Sequence, residues 1–281
     1  MPRIELDTGL RYNYLEWPSD SDHTLVLIHG FLDFCGSWTR TVDAALQERF
    51  HVLAPDMRGH GDSDRVGPGG YYHFLDYVAD LRSFIAKLGR ERVSIVGHSM
   101  GGSIAGYYAG CFSEELERVV LMEGMGPPDN KNEPPDQVKQ WIRDWKRAGA
   151  TAPTGYPSIA AAAERLRARD SLLSVELSLE LAEAGTYERE GERFFKHDPL
   201  HLSRGPIGYS VETAQTFWER ISCPVLLIEG SESTLRHSPG ERERRRGSLP
   251  SSQEIVIQGA GHMMQRDKPA ELSRILQQFL S

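Results

Sequence analysis

Val93-Ser94-Ile95-Val96-Gly97-His98-Ser99-Met100-Gly101-Gly102 is the stretch that decides the fold of this chain. An apolar strand running into Gly97-His98-Ser99-Met100-Gly101 can lift one serine out of a sharp strand-to-helix turn, because the flanking glycines remove the side chains that would collide there. Residues 103–108 then continue as a helix. The pattern reads as a Gly-x-Ser-x-Gly nucleophile elbow, which leaves Ser99 Oγ exposed and aims the Met100 N–H at a reacting oxygen. The strand before it and the helix after it separate it from a glycine-rich turn that merely contains a serine.

On either side of the elbow, strand and helix alternate. Residues 4–17 read as an edge hairpin around Thr8-Gly9. Thr24-Leu25-Val26-Leu27-Ile28 is a continuous apolar run of the kind found in strands covered on both faces, and it stops abruptly at His29-Gly30-Phe31. Residues 50–55 form a further strand, which leads into the polar loop Asp56-Met57-Arg58-Gly59-His60-Gly61-Asp62-Ser63. A carboxylate, a guanidinium and an imidazole on one tight loop read as a buttress that holds the loop together rather than as catalytic groups. Residues 72–88 predict an amphipathic crossover helix, and residues 118–123, 223–230 and 254–257 predict more strands before a closing helix over 269–280. The class is therefore α/β, with a mostly parallel central sheet, right-handed crossovers and helices on both faces.

The alternation breaks after Gly124. Proline pairs at 127–128 and 134–135 punctuate a polar linker, and helices are predicted over 136–145, 159–170 and 172–184 with no convincing buried strand. The expected organisation is a core of residues 1–124 and 214–281 and a helical cap inserted over 125–213. Trp141, Trp145 and Trp218 are read as packing seams between layers. The mixed-charge run 238–246 is read as a solvated helix face.

At 281 residues and 39% hydrophobic content the chain can bury a large core. A formal charge of −8 with dispersed basic residues argues against nucleic acid or an anionic membrane as partner, and a small-molecule substrate fits better. Cys35, Cys111 and Cys223 lie far apart without metal-ligand spacing, and their odd number suits a reducing, cytoplasmic setting. The first residues lack the apolar run of a signal peptide, and no segment has the apolar length of a membrane helix.

His29-Gly30-Phe31, the Asp56–Ser63 loop, Gly97-His98-Ser99-Met100-Gly101-Gly102 and Gly259-Ala260-Gly261-His262, in this order and at the ends of these strands, resemble an α/β-hydrolase of the capped, epoxide-hydrolase-like branch. The resemblance spans nearly the whole core and implies an α/β-hydrolase fold with no cofactor and no metal. It also implies an oxyanion hole made by the Phe31 and Met100 N–H groups. Related dehalogenases and epoxide hydrolases use an aspartate nucleophile, whereas serine stands here, which points to acyl transfer to water through an acyl-serine.

A serine hydroxyl needs an imidazole within reach, and His262, on the loop after the last strand, supplies it. His98 leaves the elbow in another direction and is read as packing or bonding locally; His29 and His60 are read as structural. The orienting acid departs from the commoner family pattern, because Gly230-Ser231-Glu232-Ser233 carries serine where most relatives carry aspartate. Glu123, at the end of the strand after the elbow helix, is the preferred acid, and it resembles the acid of a subset of haloalkane dehalogenases. Glu232 is the alternative, with Asp33 or a degenerate dyad behind it. The function expected is a carboxylic-ester hydrolase acting on an ester-like small molecule. The alternatives are a carbon–carbon bond hydrolase with the same triad and a ligand-sensing pseudo-hydrolase.

Overall fold

The computed structural model describes residues 1–67, 69–203, 205–235, 237–249 and 251–281. An antiparallel hairpin opens the chain, β1 (Arg3–Glu5) pairing with β2 (Arg11–Trp17). There follow β3 (His23–Ile28), α1 (Ala44–Arg49), β4 (His51–Pro55), α2 (Phe74–Leu88), β5 (Arg92–His98), α3 (Met100–Phe112) and β6 (Leu116–Met122). The inserted segment contributes α4 (Pro134–Ala150), α5 (Ile159–Arg167), α6 (Val175–Gly185) and a hairpin of β7 (Thr186–Arg189) with β8 (Glu192–Phe195). The chain returns through α7 (Val211–Trp218) to β9 (Val225–Gly230), α8 (Pro239–Arg246), β10 (Ser252–Ile257), α9 (Met264–Asp267) and α10 (Pro269–Leu280).

The main sheet has the order β1-β2-β4-β3-β5-β6-β9-β10. From β4 to β10 every neighbouring pair is parallel, and only the β1–β2 hairpin and its β2–β4 seam are antiparallel. Every residue of β3 and β4 is buried, as continuous apolar runs require when helices cover both faces. One core lies against α2, α3 and α7 and includes Leu81, Phe84, Ile104, Tyr108 and Trp218. The other lies against α1, α9 and α10 and includes Leu46, Met264, Leu272 and Leu276. Strand order reverses at β3 and β5, so the loops that leave these two neighbours open side by side at the carboxyl edge of the sheet, where open α/β sheets bind ligands.

The inserted segment is not wholly helical. Its β7–β8 hairpin turns at Glu190 and Gly191, both at positive φ (56° and 79°), the conformation of a two-residue hairpin turn. Glutamate in place of Asn, Asp or Gly at the first turn position, between strands rich in charge, left no hairpin signal in the sequence. α7 begins at Val211, two residues before the expected end of the insertion, and packs on α3 with Trp218 against Gly106.

A Cβ on Gly97 would overlap the Gly101 carbonyl, and one on Gly101 would overlap the carbonyls of Ile28 and His29. Both obstacles are backbone, which cannot rotate aside. Gly97→Ala is therefore expected to cost stability at the upper end of the ~1–3 kcal/mol typical of overpacking. Urea denaturation would show this as a lower midpoint with an unchanged slope, and an unchanged midpoint would mean that the turn has room.

Candidate active site

Ser99 sits between β5 and α3 with φ 54° and ψ −113°, a backbone state that side chains rarely adopt. Its N–H donates to the Met122 carbonyl at 2.8 Å, which ties the elbow to the end of β6. Met100 occupies the first position of α3, where a helix leaves its N–H groups without intrahelical acceptors. Facing it is the loop after β3. There Leu32 stands at φ 57°, the Leu32 N–H donates to His60 Nε2 at 3.2 Å, and the Asp33 N–H donates to the Gly30 carbonyl at 3.3 Å. Phe31 and Met100 both line the cavity that Ser99 and His262 share.

His262 leaves the loop after β10 with its Nδ1 2.6 Å from Glu123 Oε2. Glu123 lies just past β6 at φ 45°, its side chain buried among three donors. Oε2 also accepts from Ser233 Oγ at 2.6 Å, and Oε1 accepts from the Gly230 N–H at 3.0 Å. Burial pushes the Glu123 carboxyl up, but the hydrogen bonds from His262, Ser233 and Gly230 outweigh it and hold the group below the ordinary carboxylate value. An ionised carboxylate on Nδ1 fixes the tautomer that leaves Nε2 free to accept a proton.

The other candidate acids lie elsewhere. Glu232 is exposed, and its Oε1 accepts from Ser231 Oγ at 3.0 Å, so the structure does not bring it to the imidazole. Asp33 is buried in an ion pair with Arg266 at 2.5 Å. The serine at the commoner acid position thus has a place in the site: Ser233 turns its hydroxyl onto the carboxylate supplied by the neighbouring strand. Adjacency of β6 and β9, with Met122 in register with Ile228, makes this possible.

The Asp56–Ser63 loop is held as a buttress. Asp56 accepts from the Cys35 N–H at 2.7 Å, from Asn13 Nδ2 at 2.7 Å and from the Asp62 N–H at 2.9 Å, while Arg58 forks onto Asp80 at 2.5 and 2.7 Å. His29 donates from Nδ1 to the Gly30 carbonyl and accepts at Nε2 from the Met57 N–H. His60 packs 4.0 Å from the His201 ring, which stacks in turn 3.7 Å from Tyr72. His98 departs from the local role read in the sequence, because its Nε2 donates 2.8 Å to the backbone carbonyl of His262.

The cavity over Ser99 has a volume of about 870 Å³. Phe31, Tyr77, Met100, Leu121, Met125 and Leu227 give it mainly apolar walls, and His201, Ser203 and Gly205 of the inserted segment close one side. None of the three tryptophans lines it. Trp141 packs edge-on to Tyr71, Trp145 Nε1 donates to the Gly70 carbonyl at 3.1 Å, and Trp218 fills the α3–α7 seam. α8 is not wholly a solvated face: Arg245 is only 1% exposed and donates to the carbonyls of Met125, Gly126 and Pro127 while pairing with Glu241. That guanidinium clamps the start of the inserted segment two residues beyond Glu123. Among the described residues no group of His, Cys, Asp and Glu could hold a metal ion, and no helix is long and apolar enough to cross a membrane.

An elbow serine after β5, a buried acid after β6 and an imidazole after β10, all at the carboxyl edge of a mostly parallel sheet, define the α/β-hydrolase class. Residues 23–269 match the family described as alpha/beta hydrolase fold, and the chain belongs to it. Over 131 residues it is 35% identical to an uncharacterized protein of Mycobacterium tuberculosis, a match spanning 47% of this chain and 38% of that protein's length. A serine hydrolase-like protein of Danio rerio is 25% identical over 272 residues, which cover 94% of this chain and 83% of the relative. A solved structure of a hypothetical protein from Pseudomonas aeruginosa PAO1 shares the fold with a TM-score of 0.89 at 24% identity, covering 99% of this chain and 97% of that one.

Glu123→Gln leaves the packing in place but presents Nδ1 with an uncharged amide, and kcat is expected to fall by roughly three to four orders of magnitude. Glu232→Gln, compared under the same steady-state assay, should change kcat less than about twofold, as surface substitutions away from the chemistry do. The reverse ranking would move the acid to Glu232.

The buried histidines bear on stability. Burial pushes His201 down to about 3 and His197 down to about 4, and holds His60 and His98 well below the ordinary value of 6.5. Below pH 6.5 the unfolded chain binds protons that these folded imidazoles refuse, so stability falls with pH through that window until each folded group titrates. Between its folded and unfolded values each histidine contributes a slope of at most ~1.4 kcal/mol per pH unit. Urea midpoints measured between pH 7 and 5 should decline steeply, and His201→Gln should flatten the decline.

Proposed function

We propose that the protein is a serine hydrolase of carboxylic esters or related acyl compounds, with Ser99 as nucleophile, His262 as base and Glu123 as orienting acid. The observation that carries this reading is the 2.6 Å contact between His262 Nδ1 and Glu123 Oε2 in a cavity whose wall also presents the strained Ser99 elbow. Ser99 Oγ attacks the carbonyl carbon as its proton passes to His262 Nε2, and Glu123 stabilises the imidazolium that results. The Phe31 and Met100 N–H groups receive the developing oxyanion. Collapse expels the alcohol, protonated by His262, and leaves an acyl-serine. Water, deprotonated by the same imidazole, then releases the acid and restores the enzyme.

In this reading residues 125–213 act as a cap that sets acyl preference. The mainly apolar cavity, near the upper end of the size of small-molecule sites, suits a small to medium, partly apolar acyl group rather than a macromolecule. Three free thiols, with Cys35 and Cys223 buried, go with a reducing, cytoplasmic location.

A fluorophosphonate probe should label Ser99 alone, and p-nitrophenyl esters should be turned over continuously. Ser99→Ala should abolish both and leave the thermal midpoint nearly unchanged. A label on another serine would overturn the nucleophile assignment, and a single acylation burst without turnover would convert the reading into a ligand sensor.

A further inference from the structure

We propose that His98 is a positioning residue that locks the base loop to the nucleophile elbow, so that one imidazole between them holds His262 in register with Ser99. The proposal rests on the serine hydrolase reading given above. The observations that carry it are three contacts of a single side chain. His98 Nε2 donates to the His262 backbone carbonyl at 2.8 Å, across 164 residues of sequence. Its ring stands 4.7 Å from the His262 ring. On the other side Nδ1 and Cε1 lie against Gly30, where an added Cβ would come 2.8 and 3.2 Å from them. The residue before the nucleophile therefore touches the base loop and the loop that carries Phe31, while its own backbone forms the elbow.

The tautomer is set from outside the site. Gln265 Nε2 donates to His98 Nδ1 at 3.4 Å, which requires a lone pair there and leaves the proton on Nε2, pointing at the His262 carbonyl. Gln265 is itself fully buried, and its backbone carbonyl accepts from Thr41 Oγ1 at 3.1 Å. This chain of donors gives His98 one orientation. Burial and the nearby His262 also keep His98 uncharged. Its neutrality matters, since a second cation beside His262 would oppose the imidazolium that forms as Ser99 gives up its proton. His262 is otherwise held on the acid side by Glu123 and, through the preceding Gly261 N–H, by Asp267 Oδ2 at 2.8 Å. Neither contact ties it directly to β5. Only the His98 bond does so among the described residues, and misplacement of a reacting group by about 1 Å costs roughly 100-fold in rate.

The test compares His98→Phe, which keeps a ring without the donor, with His98→Gln, whose amide can donate again. The first readout is the rate of Ser99 labelling by a fluorophosphonate, together with kcat and KM on a p-nitrophenyl ester. The second is the low-field proton NMR signal of the His262–Glu123 hydrogen bond, which needs no substrate. The phenylalanine variant should lose roughly 10- to 100-fold in labelling rate and in kcat with KM little changed, and its low-field signal should broaden or vanish. The glutamine variant should recover most of both. Wild-type labelling and an intact signal in a folded His98→Phe protein would overturn the proposal, as would equal loss in both variants or failure of both to fold, which would assign His98 to stability alone. A wild-type protein that neither labels nor turns over ester would refute the serine hydrolase reading, while the NMR comparison would still decide the role of His98.

Discussion

The site depends on bare backbone packed against bare backbone. A side chain on Gly97 would strike the Gly101 carbonyl, one on Gly102 would strike the Gly124 Cα, and one on Gly230 would strike the carbonyls of Ala260 and Gly261. These three contacts join β5 to α3, α3 to the end of β6, and the end of β9 to the loop that carries His262. Ser99, Glu123 and His262 each lie within two residues of one of them. The backbone at these strand ends is consequently placed by main-chain van der Waals radii, and backbone has few ways to yield. The strain at Ser99 and Glu123, both at positive φ, is held within this packing.

Most of this was legible in the chain because it is written in residue types with few alternatives. Glycine at 97 and 101 has a steric reason, buried strands announce themselves as continuous apolar runs, and a histidine on a Gly-Ala-Gly loop after the last strand has an obvious partner in an elbow serine. The direction of a polar side chain has no such signature. His98 is read as packing or bonding locally because its side chain leaves the elbow in another direction from Ser99, yet its acceptor belongs to a loop 164 residues away. Arg245 was lost in a run without apolar residues, where no periodicity can separate an inward face from an outward one. The β7–β8 hairpin escaped for a related reason, with a turn of Glu190 and Gly191 and strands whose only buried hydrophobic side chain is Phe194.

The inserted segment rests on the core through polar and aromatic contacts more than through a shared apolar core. Its own packing is small, built on Ala162, Ala163 and Ala182 and on a leucine cluster that borrows Phe34 from the loop after β3. It is fastened at points: Arg245 holds its first carbonyls, Tyr72 donates to Asp198 at 2.7 Å, and Lys196 pairs with Asp62 at 2.8 Å. His201, stacked between Tyr72 and His60, continues this fastening down to the buttress loop under Phe31. Such a joint is specific in register without the apolar area that would make it rigid, and segments of low apolar contact are those that open first.

Ser233 and Glu123 meet on one carboxylate oxygen, although they come from different strands. A descendant or ancestor with acids at both positions would hold two carboxylates against a single imidazole nitrogen, and like charges so close cannot both ionise. One would carry a proton and the pair would titrate as a unit. A carboxylate placed at position 233 would therefore share a proton with Glu123 and move the titration of the pair, rather than set a second full charge beside the imidazole.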